Sequence, residues 1–100
     1  MQAFNETNFH ESINQPKVLV DFWAPWCGPC NMLTPLLEKL SQEYDGQVTF
    51  AKVNTEENPS LTADFKITAL PTMIFFKDGV PVKKLVGLHP ERNIKELLNG

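Results

Sequence analysis

Val18-Leu19-Val20-Asp21-Phe22-Trp23-Ala24-Pro25-Trp26-Cys27-Gly28-Pro29-Cys30 leads from an apolar run directly into a pair of cysteines. Residues 18–23 are rich in β-branched and aromatic side chains and apolar on both faces, with Asp21 the one polar exception. That is the pattern of a central strand covered on both sides. Beyond the cysteines, Met32, Leu33, Leu36, Leu37 and Leu40 recur at helical spacing while Glu38, Lys39, Gln42 and Glu43 turn outward, which predicts a helix over 29–44. Pro35 is expected to kink it, and Asp45-Gly46 to end it. Cys27 therefore lies at the joint between strand and helix.

On either side the same reading continues. Asn5 is placed to cap a helix over 6–13, with Phe9 and Ile13 on one face, and Pro16 breaks the chain. Residues 48–53 read as a second interior strand. Asn58-Pro59 reads as a cap and first helical position for a short helix over 60–65. Strands follow over 72–76 and 80–86, joined by an Asp78-Gly79 hairpin turn. Pro90 opens a last helix striped by Ile94, Leu97 and Leu98. A βαβ unit followed by an antiparallel pair gives an α/β architecture: a mixed sheet with helices on its faces.

Composition bounds the function. The 100 residues suit a single domain spanning 1–100, able to bury about two-thirds of the surface its unfolded form exposes. With 42% hydrophobic and 21% charged residues it is no disordered tail, collagen-like fibre or long coiled coil. The net charge is −3 and the nine Lys and Arg are spread along the chain, so nucleic-acid binding lacks its main electrostatic support. No apolar stretch approaches the roughly 20 residues of a membrane-spanning helix. Met1 to Glu6 has neither the basic nor the apolar region of a signal peptide, which predicts a cytoplasmic protein.

Cys27 and Cys30 are the only cysteines. A disulfide framework needs several bridges between distant segments. Tetrahedral zinc and iron–sulfur clusters each need four ligands, and His10 and His89 lie at no finger-like spacing from the pair, so no metal is expected. Two buried structural thiols are the bland alternative. Placement argues against it. Sites of open α/β sheets gather at the carboxyl ends of strands. A cysteine at a helix N-terminus meets unpaired N–H groups and the positive end of the helix dipole, both of which favour the reactive thiolate. Cys30 lies one turn further on the same side, within disulfide range. Gly28 and Pro29 shape the turn between them. One thiol can attack a partner's disulfide while the other waits to resolve the mixed disulfide.

The segment Phe22 to Cys30 resembles the active site of the thioredoxin family. So do Val20 to Ala24, Ala51-Lys52-Val53-Asn54, Ala69-Leu70-Pro71-Thr72 and Val86-Gly87, and the likeness covers nearly the whole chain. It implies a thioredoxin fold with a central mixed sheet of four to five strands flanked by helices. It also implies a monomeric thiol–disulfide oxidoreductase that reduces disulfide-containing target proteins and supports cell redox homeostasis. Re-reduction would come from thioredoxin reductase using NADPH. That flavoenzyme would hold the cofactors; this chain shows no nucleotide fingerprint and is expected to bind none.

The resemblance also suggests roles. Cys27 becomes the nucleophile and Cys30 the resolving thiol. Asp21 has two readings, a strand-end carboxylate reaching water or a desolvated carboxyl moving protons to and from Cys30; the likeness favours the second. Lys52 in the adjacent strand is either a modulator of Asp21 or a surface lysine. Leu70-Pro71 matches the family's cis-proline loop, where a free backbone group binds a target strand-fashion. Trp26, Gly28, Pro29, Leu70, Pro71, Gly87 and Leu88 match the apolar patch that touches substrates. Trp23 is read as packing beneath the site, and His10 and His89 as surface or capping residues. Asn31, Ala69 and Pro90 depart from the family's usual residues. A docking module on the same frame, and an oxidase or isomerase, are the alternatives. Two intact cysteines favour catalysis, and Gly28-Pro29 favours the reductase.

Overall fold

In the computed structural model, which describes residues 1–100, the chain runs β1 (Gln2–Ala3), α1 (Phe9–Ser12), β2 (Lys17–Trp23), α2 (Gly28–Glu43), β3 (Thr49–Asn54), α3 (Pro59–Asp64), β4 (Thr72–Lys77), β5 (Val80–Val86) and α4 (Glu91–Leu98). The strands form one mixed sheet in the order β1-β3-β2-β4-β5. β3 is parallel to both β1 and β2; β4 is antiparallel to β2 and β5.

β2 is the middle strand, and Val18 to Phe22 are all buried. Its side chains alternate between two cores, as the two-residue period of a strand requires. Val18, Val20 and Phe22 join Phe4, Phe9, Ile13, Leu61 and Phe76. Leu19 joins Leu33, Leu37 and Leu40 of α2 and Ile94, Leu97 and Leu98 of α4. Burying each such side chain is worth about 1.5–3 kcal/mol. Asp21 and Trp23 share the α2 face with Leu19, which brings them beneath the helix that carries the cysteines.

Several boundaries differ from expectation for local reasons. β1 is a two-residue strand, too short for any periodicity; Gln2 and Ala3 pair with Ala51 and Lys52. The first helix begins at Phe9 rather than residue 6. The Asn5 side chain accepts the N–H groups of Thr7 and Asn8, and Asn8 Oδ1 accepts that of Asn5, closing a separate turn ahead of the helix. Asn58 does not cap α3 with its side chain. Its amide instead accepts the Glu6 N–H at 3.0 Å and donates to the Asn54 carbonyl at 2.9 Å. The Glu6 carboxylate takes the Ser60 N–H at 2.9 Å, so the cap arrives from the other end of the chain. α2 runs through Pro35 to Glu43. α4 starts after Pro90 without a side-chain cap. There His89 links Val86 O to the Asn93 amide, as a bridging residue between β5 and the helix.

The Asp78-Gly79 turn has both residues at positive φ, +51° and +80°, which a two-residue hairpin of this hand requires. The outer strand β5 contains Pro81 and an irregular register against Phe75 and Phe76, as edge strands tolerate. No helix is long and apolar enough to cross a membrane.

Candidate active site

Cys27 is the N-cap residue of α2, past the carboxyl end of β2 across the short Ala24-Pro25-Trp26 link. It is disulfide-bonded to Cys30, with the two Cα atoms 5.3 Å apart. Cys27 Sγ accepts the Cys30 backbone N–H at 3.2 Å. Pro29 occupies the first helical turn, where a missing N–H costs nothing. One orphan donor of the helix start is thus aimed at the Cys27 sulfur, and the helix dipole adds to it. When the disulfide is reduced, both favour a thiolate on Cys27 over one on Cys30.

The two cysteines are less different in exposure than their positions suggest, Cys27 being 4% and Cys30 1% exposed. What separates them is the groove. A depression of about 410 Å³ is lined by Trp26, Cys27, Gly28 and Pro29 on one side and by Thr55, Thr62, Ile67, Thr68, Ala69 and Leu70 on the other. Cys30 packs behind, with Ala24, Trp23 and Leu70 around the disulfide. Trp26, 69% exposed, stands at the rim. Leu70-Pro71 is cis, as expected. The Leu70 N–H and C=O make no hydrogen bond within the protein, while Pro71 O accepts the Gly87 N–H at 2.8 Å. Gly87 at φ +88° and the exposed Leu88 are therefore tied to the proline loop but stand outside the groove lining. The far wall, Thr55, Thr62, Ile67 and Thr68, was missed in the sequence. Thr55 alone carried a usable signal, since it follows the carboxyl end of β3. A larger cleft of about 690 Å³ lies at the amino ends of β2 and β3, lined by polar residues such as Gln15, Asp45, Gln47 and Thr49, away from the cysteines.

Asp21 is 2% exposed, and its Oδ1 has no hydrogen-bond partner. The carboxyl is thus desolvated and does not reach water at a strand end. Burial pushes its carboxyl up from an ordinary 3.8 and the Lys52 charge pulls back part of that rise, leaving it at about 7. Asp21 and Lys52 are register partners on β2 and β3. Lys52 is half-buried and makes no salt bridge, its Nζ standing 5.1 Å from the centre of the Trp23 ring. Asn31 is exposed, and its amide donates to Pro25 O at 3.4 Å. No cluster of side chains suited to a metal ion is present.

A dithiol pair at a helix start, a groove beside one sulfur and a titratable carboxyl beneath the helix together suit disulfide exchange. Known proteins agree. The thioredoxin family model matches residues 1–100. A thioredoxin of Staphylococcus haemolyticus is 49% identical over 94% of this chain and 90% of its own length. One of Staphylococcus saprophyticus is 47% identical over 93% and 89%. A solved structure of Plasmodium falciparum thioredoxin superposes with a TM-score of 0.91 at 33% identity, covering 99% of this chain and 97% of that one. Sequence, fold and the Cys27–Cys30 disulfide converge on one assignment: the chain belongs to the thioredoxin family of thiol–disulfide oxidoreductases.

Proposed function

We propose that this chain works as a monomeric, single-domain protein-disulfide reductase of the cytoplasm, re-reduced by thioredoxin reductase. The observation that carries the proposal is the Cys27 sulfur, which takes a helix N–H and lines the groove facing Leu70.

In the first step the Cys27 thiolate attacks one sulfur of a target disulfide. The target S–S bond breaks, a Cys27–target bond forms, and the departing sulfur takes a proton from solvent. Asp21 then accepts the Cys30 proton through water; a carboxyl titrating near neutrality suits a group that must both take and return a proton. The Cys30 thiolate attacks Cys27 Sγ and displaces the second target sulfur, which is protonated in turn. The target has gained two electrons and two protons, and the chain is left with the Cys27–Cys30 disulfide. Trp26, Gly28, Pro29, Leu70, Pro71, Gly87 and Leu88 form the contact surface in this reading. The free N–H and C=O of Leu70 pair with the target backbone as an added strand would. Lys52 modulates Asp21.

Insulin reduction tests the proposal. The protein should accelerate insulin precipitation by dithiothreitol, and should do so with NADPH and thioredoxin reductase in place of dithiothreitol. No acceleration with either reductant would leave a docking module as the reading. Acceleration with dithiothreitol alone would remove thioredoxin reductase as its source of electrons.

A further inference from the structure

We infer that Trp23 is a positioning residue for the Asp21 carboxyl, because its indole face holds the Lys52 ammonium beside that carboxyl. The inference deepens the proposed role of Asp21 and concerns how its charge is tuned.

The geometry starts from register. Asp21 lies opposite Lys52, and Trp23 lies opposite Asn54, two residues on. Trp23 and Asp21 therefore share one face of β2, and Trp23 is the diagonal neighbour of Lys52, within reach of a long side chain. Lys52 Nζ stands 5.1 Å from the Trp23 ring centre, inside the roughly 6 Å range at which an ammonium is attracted to an indole face. Nothing else fixes that ammonium. The salt bridges of the protein use Lys39 and Lys95, and Lys52 Nζ makes no hydrogen bond. The ring is itself held in place: Trp23 packs against Ala24, Cys27 and Cys30, and its Nε1 is buried without a partner, so packing alone orients it.

Beyond Lys52 lies a small cavity of about 170 Å³, lined by Trp23, Lys52, Asn54, Glu57, Asn58 and the chain near Phe4. Glu57 is exposed and offers the lysine a competing partner. A lysine has four rotatable bonds, so without the ring it can turn toward Glu57 and water. Lys52 is the one charged group acting on Asp21. Met73 is its neighbour on β4, and Cys27 and Cys30, at the start of α2 above the same face of β2, do not titrate as a disulfide.

Removing the indole also lets water nearer to Asp21, an effect opposite in sign to the loss of the cation. A double-mutant cycle cancels it. The Asp21 carboxyl is titrated by NMR, with the disulfide intact, in the wild type and in Trp23→Leu and Trp23→Phe, each with and without Lys52→Met. In the wild type Lys52→Met should raise the Asp21 titration midpoint. In the Trp23→Leu background that rise should fall by half or more, and in Trp23→Phe, which keeps an aromatic face, most of it should survive. An equal rise in all three backgrounds overturns the inference. The Lys52 ε-methylene protons give a second measurement on the unmutated protein, for the case that Trp23→Leu does not fold. They should be shifted upfield by the indole ring current, and ordinary lysine shifts overturn the inference. Neither readout involves turnover. If Asp21 is not the proton carrier, Asp21→Asn will leave turnover unchanged while this cycle still reports on Trp23.

Discussion

Asp21→Asn replaces a buried titrating carboxyl with a neutral amide. The carboxyl titrates near 7 in the folded chain and near 3.8 in an ordinary setting, so the folded state holds its proton more tightly. A raised carboxyl of this kind costs nothing below about pH 4 and progressively more as pH climbs to about 7, with no further change above. The Asn variant should therefore match the wild type in acid and exceed it at pH 8, by up to roughly 4 kcal/mol. Denaturant titrations of both oxidised proteins at several pH values check this; a gap that does not widen with pH refutes it. The same variant should release reduced target more slowly, and unchanged turnover from about pH 6 to about pH 9 would remove the proton role. At the cysteines, Cys30→Ser keeps the sulfur that lines the groove and loses resolution, so it should accumulate mixed disulfides with targets, visible as thiol-sensitive high-mass bands. Cys27→Ser should trap little, because the remaining sulfur sits behind the groove and does not line it. Equal trapping by both would reverse the assignment.

At the scale of elements, the neighbours of α3 are the least predictable from sequence and the easiest to test. Asn58 is 5% exposed and serves the Glu6 N–H and the Asn54 carbonyl together. Asn58→Ala should strand both and cost about 1–3 kcal/mol in a chemical denaturation with unchanged slope; a loss under about 0.5 kcal/mol would mean that water replaces the amide. Sequence identified the residue but assigned its bonds to the wrong element, since an asparagine before a proline reads as a helix cap whether or not a distant carboxylate does that work. The same blindness hid β1, whose two residues are strand only because β3 lies beside them. Where period and packing coincide, the reading was sound. β2 from Val18 to Phe22 is buried on both faces, α2 buries Leu33, Leu37 and Leu40 although Met32 at the head of that stripe is exposed, and the Asp78-Gly79 hairpin is where the turn residues put it. Cys27, Cys30 and Leu70 were legible through motif and resemblance; the threonines of the far wall were not, because their place depends on how α3 and the loops on either side of it meet the cysteine loop.

Across the whole molecule, the sheet separates two cores that share no side chain. Ile74 belongs to the one containing Phe9 and Phe76, and Ile94 to the one containing Leu33 and Leu37. Ile74→Val and Ile94→Val should each cost about 1 kcal/mol, and the double variant their sum within about 0.5 kcal/mol. A larger departure in thermal or denaturant unfolding would mean that the sheet transmits strain between its faces. The sheet also ends differently on its two sides. One rim offers only Gln2 and Ala3; the other carries Pro81, which lacks an N–H, and a broken register. Neither is a template on which a second copy can lay down an extended ladder. A concentrated solution, cooled after partial melting, should therefore give back the starting species rather than dye-binding fibrils, because the few residues that interrupt each rim deny a second chain the run of free backbone groups it would need.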